Sequence, residues 1–178
     1  ESFCIGLFGS SGAGKTLFLR ALADLDPHGG SVSLDEKPAN DYKPHDWRKK
    51  VGLLPSESQW WFDTVGEHFH DCDGDALGRL GFDNDVMRWQ VSRLSSGEKQ
   101  RLGLLRLLAN LPDVLLLDEP TANLDPRFVG EVEAILDRYK KQRPASLIWV
   151  SHDRGQLERV ADRIFEIRDQ YLMEVNRG

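Results

Sequence analysis

A run of eight residues near the start of the chain has the composition of a loop that binds phosphate groups. It matches the pattern G-x-x-x-x-G-K-S/T at every position. Its residues are Gly9, Ser10, Ser11, Gly12, Ala13, Gly14, Lys15 and Thr16. Glycines let the backbone turn so that successive N–H groups face phosphate oxygens, while Lys15 would reach the terminal phosphates and the Thr16 hydroxyl would bind magnesium. The run therefore predicts a nucleoside triphosphate site, with ATP and Mg²⁺ as the expected ligands.

Two adjacent carboxylates, Asp118 and Glu119, follow an apolar run at residues 114–117. A buried strand there would deliver both at the carboxyl end of a parallel sheet, where α/β folds bind their ligands. Asp118 would then hold the magnesium ion, and Glu119 could accept a proton from the water that attacks the γ-phosphate. Alone, the pair is equally typical of a strand that ends in solvated acids. Together with the phosphate loop, it predicts ATP hydrolysis.

Short apolar runs alternate with helical patterns between these motifs, which predicts an α/β fold with a mostly parallel sheet flanked by helices on both faces. The predicted strands are residues 3–8, 31–34, 51–54, 114–117, 146–150 and 163–167, with a closing hairpin to residues 171–175. The clearest helix begins after Asp125, a good N-cap residue, with Pro126 in its first turn. Another helix follows Gly97 and is apolar on nearly all sides, so we expect it in the core.

The composition predicts one compact domain over residues 1–178, because 178 residues with 40% hydrophobic content can bury a core. Its P-loop core would comprise residues 1–55 and 94–178, and residues 56–93 would form a small, mostly helical insertion. No apolar run approaches the roughly 20 residues that span a bilayer. The net charge of −6 argues against broad nucleic-acid binding. Two cysteines fit a reducing compartment.

A third segment specifies the kind of ATPase. Residues 94–98 are similar to the LSGGQ signature of the ATP-binding cassette (ABC) ATPases. Residues 119–125 look like that family's stretch from the catalytic glutamate to the D-loop, and residues 150–153 match its switch-histidine segment. The chain therefore resembles the ABC ATPases over nearly its whole length, with the motifs in the family's order.

The resemblance implies a head-to-tail dimer, in which each ATP lies between the phosphate loop of one subunit and the signature of the other. Ser95 and Gly97 would contact the partner's nucleotide at a helix N-terminus, and Asp125 would line the interface. His152 would contact the γ-phosphate and Glu119, although a lone histidine after a strand is more often structural. The implied partners are a second ABC ATPase domain, identical or different, and membrane permease subunits. The implied location is the cytoplasm, at the inner face of a membrane.

The sequence departs from the family pattern at three places. Ser56 stands where the family has a magnesium-binding glutamine; its hydroxyl could still reach a metal-bound water, or Gln59 could substitute. The aromatic residue on which the family stacks adenine lies upstream of this sequence, which opens inside a strand-like run without methionine, and we interpret it as a partial chain. Ser96 and Glu98 replace glycine and glutamine in the signature. Both replacements keep the anion-binding groups, so we expect the signature to function.

Three functions stay open at this point. The leading one is the energising subunit of a membrane transporter. The second is a soluble ABC-type ATPase acting on nucleic acid or a protein complex, since residues 96–99 also resemble chromosome-maintenance and DNA-repair members; however, residues 56–93 are too short for their coiled coil. The third, a P-loop kinase, leaves residues 94–100 and His152 unexplained. Three adjacent aromatic residues, Trp60, Trp61 and Phe62, fit a partner anchor as well as internal packing.

Overall fold

The computed structural model describes residues 2–175 and arranges them around one large sheet. The strands are β1 (Cys4–Gly9), β2 (Ser33–Leu34), β3 (Lys37–Pro38), β4 (Val51–Leu54), β5 (Val114–Asp118), β6 (Ser146–Val150), β7 (Arg163–Arg168) and β8 (Tyr171–Val175). The α-helices are α1 (Lys15–Leu22), α2 (Pro44–Lys50), α3 (Gly74–Arg79), α4 (Ser96–Ala109), α5 (Pro126–Gln142) and α6 (Arg154–Val160). Strands and helices alternate through most of the chain, as an α/β fold requires.

Within the described residues the large sheet has six strands, in the order β4, β5, β6, β1, β7, β8. All neighbouring pairs are parallel except β7 with the edge strand β8. The carboxyl ends of β5, β6 and β1 therefore meet at one edge of the sheet, which is where parallel sheets bind ligands. The predicted mostly parallel sheet is confirmed.

The core lies on both faces of this sheet. Along β5, Leu115 and Leu117 pack with the apolar cluster of α4 and α5, whereas Leu116 packs with the cluster of α1 and α2. All three leucines are completely buried. A central strand covered on both faces must be apolar at every position rather than at alternate ones, which explains the continuous apolar run at this strand.

One predicted strand lies outside the main sheet. The run at residues 31–34 was expected to join the parallel sheet, but only Ser33–Leu34 is extended, and it pairs antiparallel with Lys37–Pro38 in a separate two-stranded sheet. Asp35 and Glu36 between them both have positive φ, 49° and 66°, as in the tight turn of a short hairpin. The chain therefore reverses after two residues, before it can reach the main sheet.

The two longest of the described helices are α4 and α5. Asp125 caps α5 by accepting a hydrogen bond from the Arg127 N–H at 2.9 Å, and Pro126 occupies the first turn, as predicted. The helix α4 is largely buried, but the apolar run that predicted it does not stay buried to its end. Leu111 lies beyond the helix with φ of 52° and is 53% exposed. The chain leaves the helix there to reach β5.

The segment at residues 56–93 contains α3, three short 3₁₀ helices and an isolated bridge between Thr64 and Gln90. None of its described residues joins the large sheet. Its description as an insertion in a single domain stays a prediction. Across residues 2–175, no helix combines the length and the apolar character needed to cross a membrane.

Candidate active site

The predicted phosphate loop connects the end of β1 to the start of α1. Gly12 and Gly14 have φ of 79° and 96°, a region that side chains disfavour, and Gly14 is the N-cap of the helix. Gly9 is required for a different reason. A Cβ atom at that position would lie 2.7 Å from the backbone carbonyl oxygen of Ile167 on β7. The glycines are thus explained by the turn and by a close approach of two strands.

Lys15 lies at the first position of α1, and it is buried. Its ammonium group donates hydrogen bonds to the carbonyl oxygens of Gly9 at 2.9 Å and Ser10 at 3.0 Å. Both acceptors belong to the phosphate loop, so the Lys15 side chain lies across that loop. Because a charged phosphate oxygen accepts a stronger hydrogen bond than a neutral carbonyl, a bound phosphate would compete well for this cation.

Thr16 and Asp118 come together at the same edge of the sheet. The Thr16 hydroxyl donates to the Asp118 carboxylate at 2.7 Å, and Asp118 is only 3% exposed. A hydroxyl and a carboxylate are hard oxygen ligands of the kind that Mg²⁺ prefers, with one or two protein oxygens beside substrate phosphates. The two residues therefore fit a magnesium ion, and their assignment as its ligands stays a prediction.

Glu119 and His152 form an ion pair or hydrogen bond at the ends of β5 and β6. His152 Nε2 lies 2.9 Å from a carboxylate oxygen of Glu119. Glu119 has φ of 52°, and its N–H donates to the carbonyl of Val150 at 3.1 Å. The hydrogen bond to Val150 on the neighbouring strand β6 holds this unusual backbone conformation of Glu119.

These groups surround one cavity of about 260 Å³. Its lining residues are Ser11, Gly12, Gly14, Lys15, Thr16, Leu17, Glu119 and His152. Loop N–H groups, a helix N-terminus and a lysine favour an anion, and Glu119 lines the same cavity. We call this cavity the phosphate cavity. Its groups suit a polyphosphate with a water molecule beside the terminal phosphate.

The signature residues Ser95 and Gly97 lie at the start of α4, and neither lines the phosphate cavity. Ser95 and Glu98 form a capping box. The Glu98 carboxylate accepts from the Ser95 N–H and hydroxyl, both at 2.8 Å, and the Glu98 N–H donates back to the hydroxyl at 3.3 Å. Gly97 packs against the loop before α5, since a Cβ there would lie 3.4 Å from the Asn123 carbonyl oxygen.

The charge of Glu98 is stabilised in this position. Partial burial raises the pKa of its carboxyl, but the hydrogen bonds from Ser95 and the positive charges of Arg101 and Arg93 outweigh that effect. The pKa therefore lies below its ordinary value, and Glu98 stays ionised at neutral pH. The signature carries a negative charge at the point where its sequence predicts an anion-binding site.

Ser56 and Asp125 lie away from the phosphate cavity. Ser56 follows β4 and lines a separate cavity of about 440 Å³, together with Gln59, Lys99 and Asn123. Asp125 caps α5 and is exposed. Within the part of the chain that the structure describes, the two cavities share no lining residue. The roles predicted for Ser56 and Asp125 stay predictions.

Two buried glutamines that the sequence did not indicate, Gln100 and Gln156, lie beside these motifs. Gln100 on α4 donates to the Pro55 carbonyl at 3.2 Å and accepts from the Ser58 hydroxyl at 3.3 Å, which joins the signature helix to the loop after β4. Gln156 accepts from the hydroxyl of Thr121, two positions after Glu119, and from that of Ser151, which directly precedes His152. Glutamines on helices are ordinary surface residues, so neither position carried a signal in the sequence.

The adjacent aromatic residues divide between core and surface. Trp60 is half-buried, whereas Trp61 is 65% and Phe62 48% exposed. Buried His68 holds them, because its Nε2 accepts from the N–H groups of Trp61 and Phe62, each at 3.0 Å. The guanidinium of Arg106 on α4 stacks over both indole rings, 4.4 and 4.8 Å from their centroids. Internal packing therefore holds for Trp60, which lies against the core, whereas the role of Trp61 and Phe62 as a partner anchor stays a prediction.

Comparison with known proteins gives consistent matches. The sequence model described as ABC transporter matches residues 1–122. The chain is 35% identical to ABC transporter I family member 17 of Arabidopsis thaliana, over 98% of this chain and 72% of that protein. It is 34% identical to the L-cystine import ATP-binding protein TcyN of Bacillus subtilis, over 96% of this chain and 73% of that protein.

A solved structure shares the fold. It is described as a post-hydrolysis dimer of the ATP-binding cassette MJ0796 bound to ADP and Pi. The TM-score is 0.84 at 22% identity, over 99% of this chain and 86% of that chain. At 22% identity, this likeness shows that the two chains share a fold, and it shows nothing beyond the fold.

Proposed function

The chain belongs to the ABC transporter family, and from that premise we propose that it binds ATP with Mg²⁺ and hydrolyses it to energise a membrane transporter. One observation carries the proposal, the 2.9 Å contact between His152 and Glu119 at the wall of the phosphate cavity. A carboxylate held by a histidine beside a phosphate loop is suited to accept a proton from an attacking water.

Each residue of the site has its own role in the proposed hydrolysis of ATP. The loop N–H groups and Lys15 bind the phosphates, and Lys15 exchanges its carbonyl partners for phosphate oxygens. Thr16 and Asp118 would hold Mg²⁺, which would supply positive charge against the charge that builds up on the phosphates. Glu119 accepts the proton of the water whose oxygen bonds to the γ-phosphorus. The bond from that phosphorus to the bridging oxygen breaks, and the products are ADP and inorganic phosphate.

A second copy of the chain, or another ABC ATPase domain, completes the site. Ser95 and Gly97 are absent from the lining of the phosphate cavity in their own chain, which supports a head-to-tail dimer where they contact the partner's nucleotide. The backbone N–H groups at the N-terminus of α4 would donate to the γ-phosphate of the ATP that the partner binds. Asp125 lines the same interface.

The exposed rings of Trp61 and Phe62 are proposed to anchor the membrane permease subunits. Large aromatic side chains on a rigid support make good interface anchors, and here His68 and Arg106 hold the support. Replacement of Trp61 by alanine is expected to lower the recovery of a co-expressed permease. Tyr171, which is 74% exposed on β8, provides the matched control, because Tyr171→Ala removes a comparable exposed ring elsewhere.

The experiment that tests the function measures inorganic phosphate released from ATP by the chain and by Glu119→Gln. We expect release from the unchanged chain and a loss of at least about 100-fold in the variant, the usual contribution of a general base. Equal rates would show that Glu119 is not the base. Phosphate transferred to an acceptor instead of water would establish a kinase, and hydrolysis stimulated by DNA with a steep salt dependence would establish the nucleic-acid alternative.

A further inference from the structure

The side chain of Gln156 on α6 lies buried beneath the two loops that carry Glu119 and His152, and only 2% of the residue is exposed. Its amide oxygen accepts hydrogen bonds from the hydroxyls of Thr121 and Ser151, both at 3.0 Å. Thr121 lies two positions after Glu119, and Ser151 directly precedes His152. One buried side chain therefore contacts both loops.

The orientation of the Gln156 amide is determined by Glu133 on α5. The amide nitrogen donates to a Glu133 carboxylate oxygen at 2.9 Å, and Arg159 donates to the same oxygen at 3.0 Å. Because an ionised carboxylate can only accept, the nitrogen must face Glu133 and the oxygen must face the two hydroxyls. Ser151 also accepts from the Asp153 N–H at 3.0 Å, which fixes the turn that contains His152.

We propose that Gln156 is a positioning residue, which keeps the Glu119 carboxylate within hydrogen-bonding distance of the His152 ring. The inference rests on the proposed function, because it takes Glu119 as the base. The Glu119 N–H already ties the two loops together at the Val150 carbonyl, 3.1 Å away. Glu119 has a positive φ, and such a backbone conformation persists only where its surroundings hold it. Gln156 links the two loops a second time, through its hydrogen bonds with Thr121 and Ser151.

The hydrogen bond from the Gln156 amide to the Glu133 carboxylate has a fixed direction, and reversing that direction tests the proposal. Gln156→Glu keeps an acceptor for both hydroxyls, but it cannot donate to Glu133, so two carboxylates face each other at the former hydrogen bond. The double change Gln156→Glu with Glu133→Gln reverses the polarity of that bond, because the introduced amide can donate to the introduced carboxylate. Because Arg159 donates to that same Glu133 oxygen, the double variant also loses this contact with Arg159. Gln142→Glu, at an exposed position of α5, adds the same charge away from the site.

We expect Gln156→Glu to lower kcat by about tenfold or more while the KM for ATP changes less than about twofold, since misplacement of a catalytic group affects the transition state. The double variant should recover most of kcat, and Gln142→Glu should equal the unchanged chain. A residue with only a structural role would lower the unfolding temperature without this division between kcat and KM. Normal kcat in Gln156→Glu, or a double variant as slow as the single one, would overturn the proposal.

A measurement that needs no hydrolysis separates this inference from the proposed function. The ring ¹⁵N chemical shifts of His152, assigned by their disappearance in His152→Ala, report its contact with Glu119. They should change in Gln156→Glu and return in the double variant. Unchanged shifts would contradict the positioning role. Shifts that respond as expected in a chain that releases no phosphate would support the positioning of the pair and overturn the proposed function instead.

Discussion

The hydroxyl of Thr16 donates to the carboxylate of Asp118 at 2.7 Å, although 102 positions separate the two residues in the sequence. The contact joins the first turn of α1 to the end of β5. It places the buried Asp118 carboxylate against Thr16, which lines the phosphate cavity, and both residues are predicted magnesium ligands. The magnesium dependence of hydrolysis should depend on this pair.

Asp118→Asn is the change that tests the proposed magnesium site. The amide keeps the size of the side chain and removes its charge, so the Mg²⁺ concentration for half-maximal hydrolysis is expected to rise by at least about tenfold. A titration of phosphate release against Mg²⁺ measures it, and EDTA should abolish release from the unchanged chain. Asp137→Asn on the exposed side of α5 serves as control. An unchanged titration would remove Asp118 from the predicted ligands.

Lys15→Ala is expected to weaken ATP binding itself. The ammonium group lies within the loop, and among residues 2–175 it donates to the carbonyl oxygens of Gly9 and Ser10, so its loss removes a charge that would pair with the phosphates. Loss of one charge-assisted contact corresponds to about 1.5–3 kcal/mol, or at least about tenfold in Kd. Calorimetric titration measures the affinity, with Lys49→Ala on α2 as control. Equal affinities for ATP would contradict the proposed phosphate site.

Gly97→Ala should separate ATP binding from dimer formation. A Cβ atom there would lie 3.4 Å from the Asn123 carbonyl oxygen, an ordinary contact, so the isolated chain should fold normally. In a dimer, the methyl group would stand between the α4 N–H groups and the partner's γ-phosphate. In the Glu119→Gln background, ATP should therefore produce a dimer on size-exclusion chromatography that Gly97→Ala abolishes.

Gly130→Ala is the matched control for that experiment. Apart from the adjacent residues and the backbone of α5 itself, no described atom would lie within 4 Å of a Cβ at that position, and the residue is exposed. This control should form the dimer normally in the same background. Dimerisation of Gly97→Ala equal to that of Gly130→Ala would place the interface elsewhere.

Glu98→Ala tests the capping box through the pH dependence of stability. The folded-state pKa of Glu98 is lowered, so its contribution is present above the ordinary carboxyl pKa and is lost as the pH falls through the folded value. At neutral pH the change should lower the free energy of unfolding by about 1 kcal/mol. Below about pH 4 the difference should shrink. Urea unfolding at both pH values measures it, and a difference that is equal at both would show that the charge plays no part.

Contiguous motifs were the part of the site that could be predicted. The phosphate loop is local, because the turn, the N–H groups and the helix start all lie within residues 9–16. The two carboxylates at the end of β5 could be predicted equally well, since an apolar run showed where the strand would end. The mostly parallel sheet followed from the alternation of apolar runs and helical patterns, and the structure confirms it.

Other features depended on partners that a linear pattern does not reveal. The run at residues 31–34 has strand-like residues, but a tight turn at Asp35 and Glu36 decides its pairing. Trp60 and Trp61 are identical in type and adjacent, yet they differ in exposure because His68 and Arg106 fix the loop between core and solvent. The role proposed for Gln156 depends on hydroxyls that lie 35 and 5 positions away.

The sequence by itself determined the family, the triphosphate chemistry and the residues that could perform it, because those properties reside in the types and spacing of neighbouring residues. Only the tertiary structure decided which of these residues meet. It brought Thr16 to Asp118 and Glu119 to His152, and it left Ser95 and Gly97 outside the phosphate cavity. The physical reason is that strand order and helix packing, which set those contacts, arise from burial of the whole core rather than from any one segment.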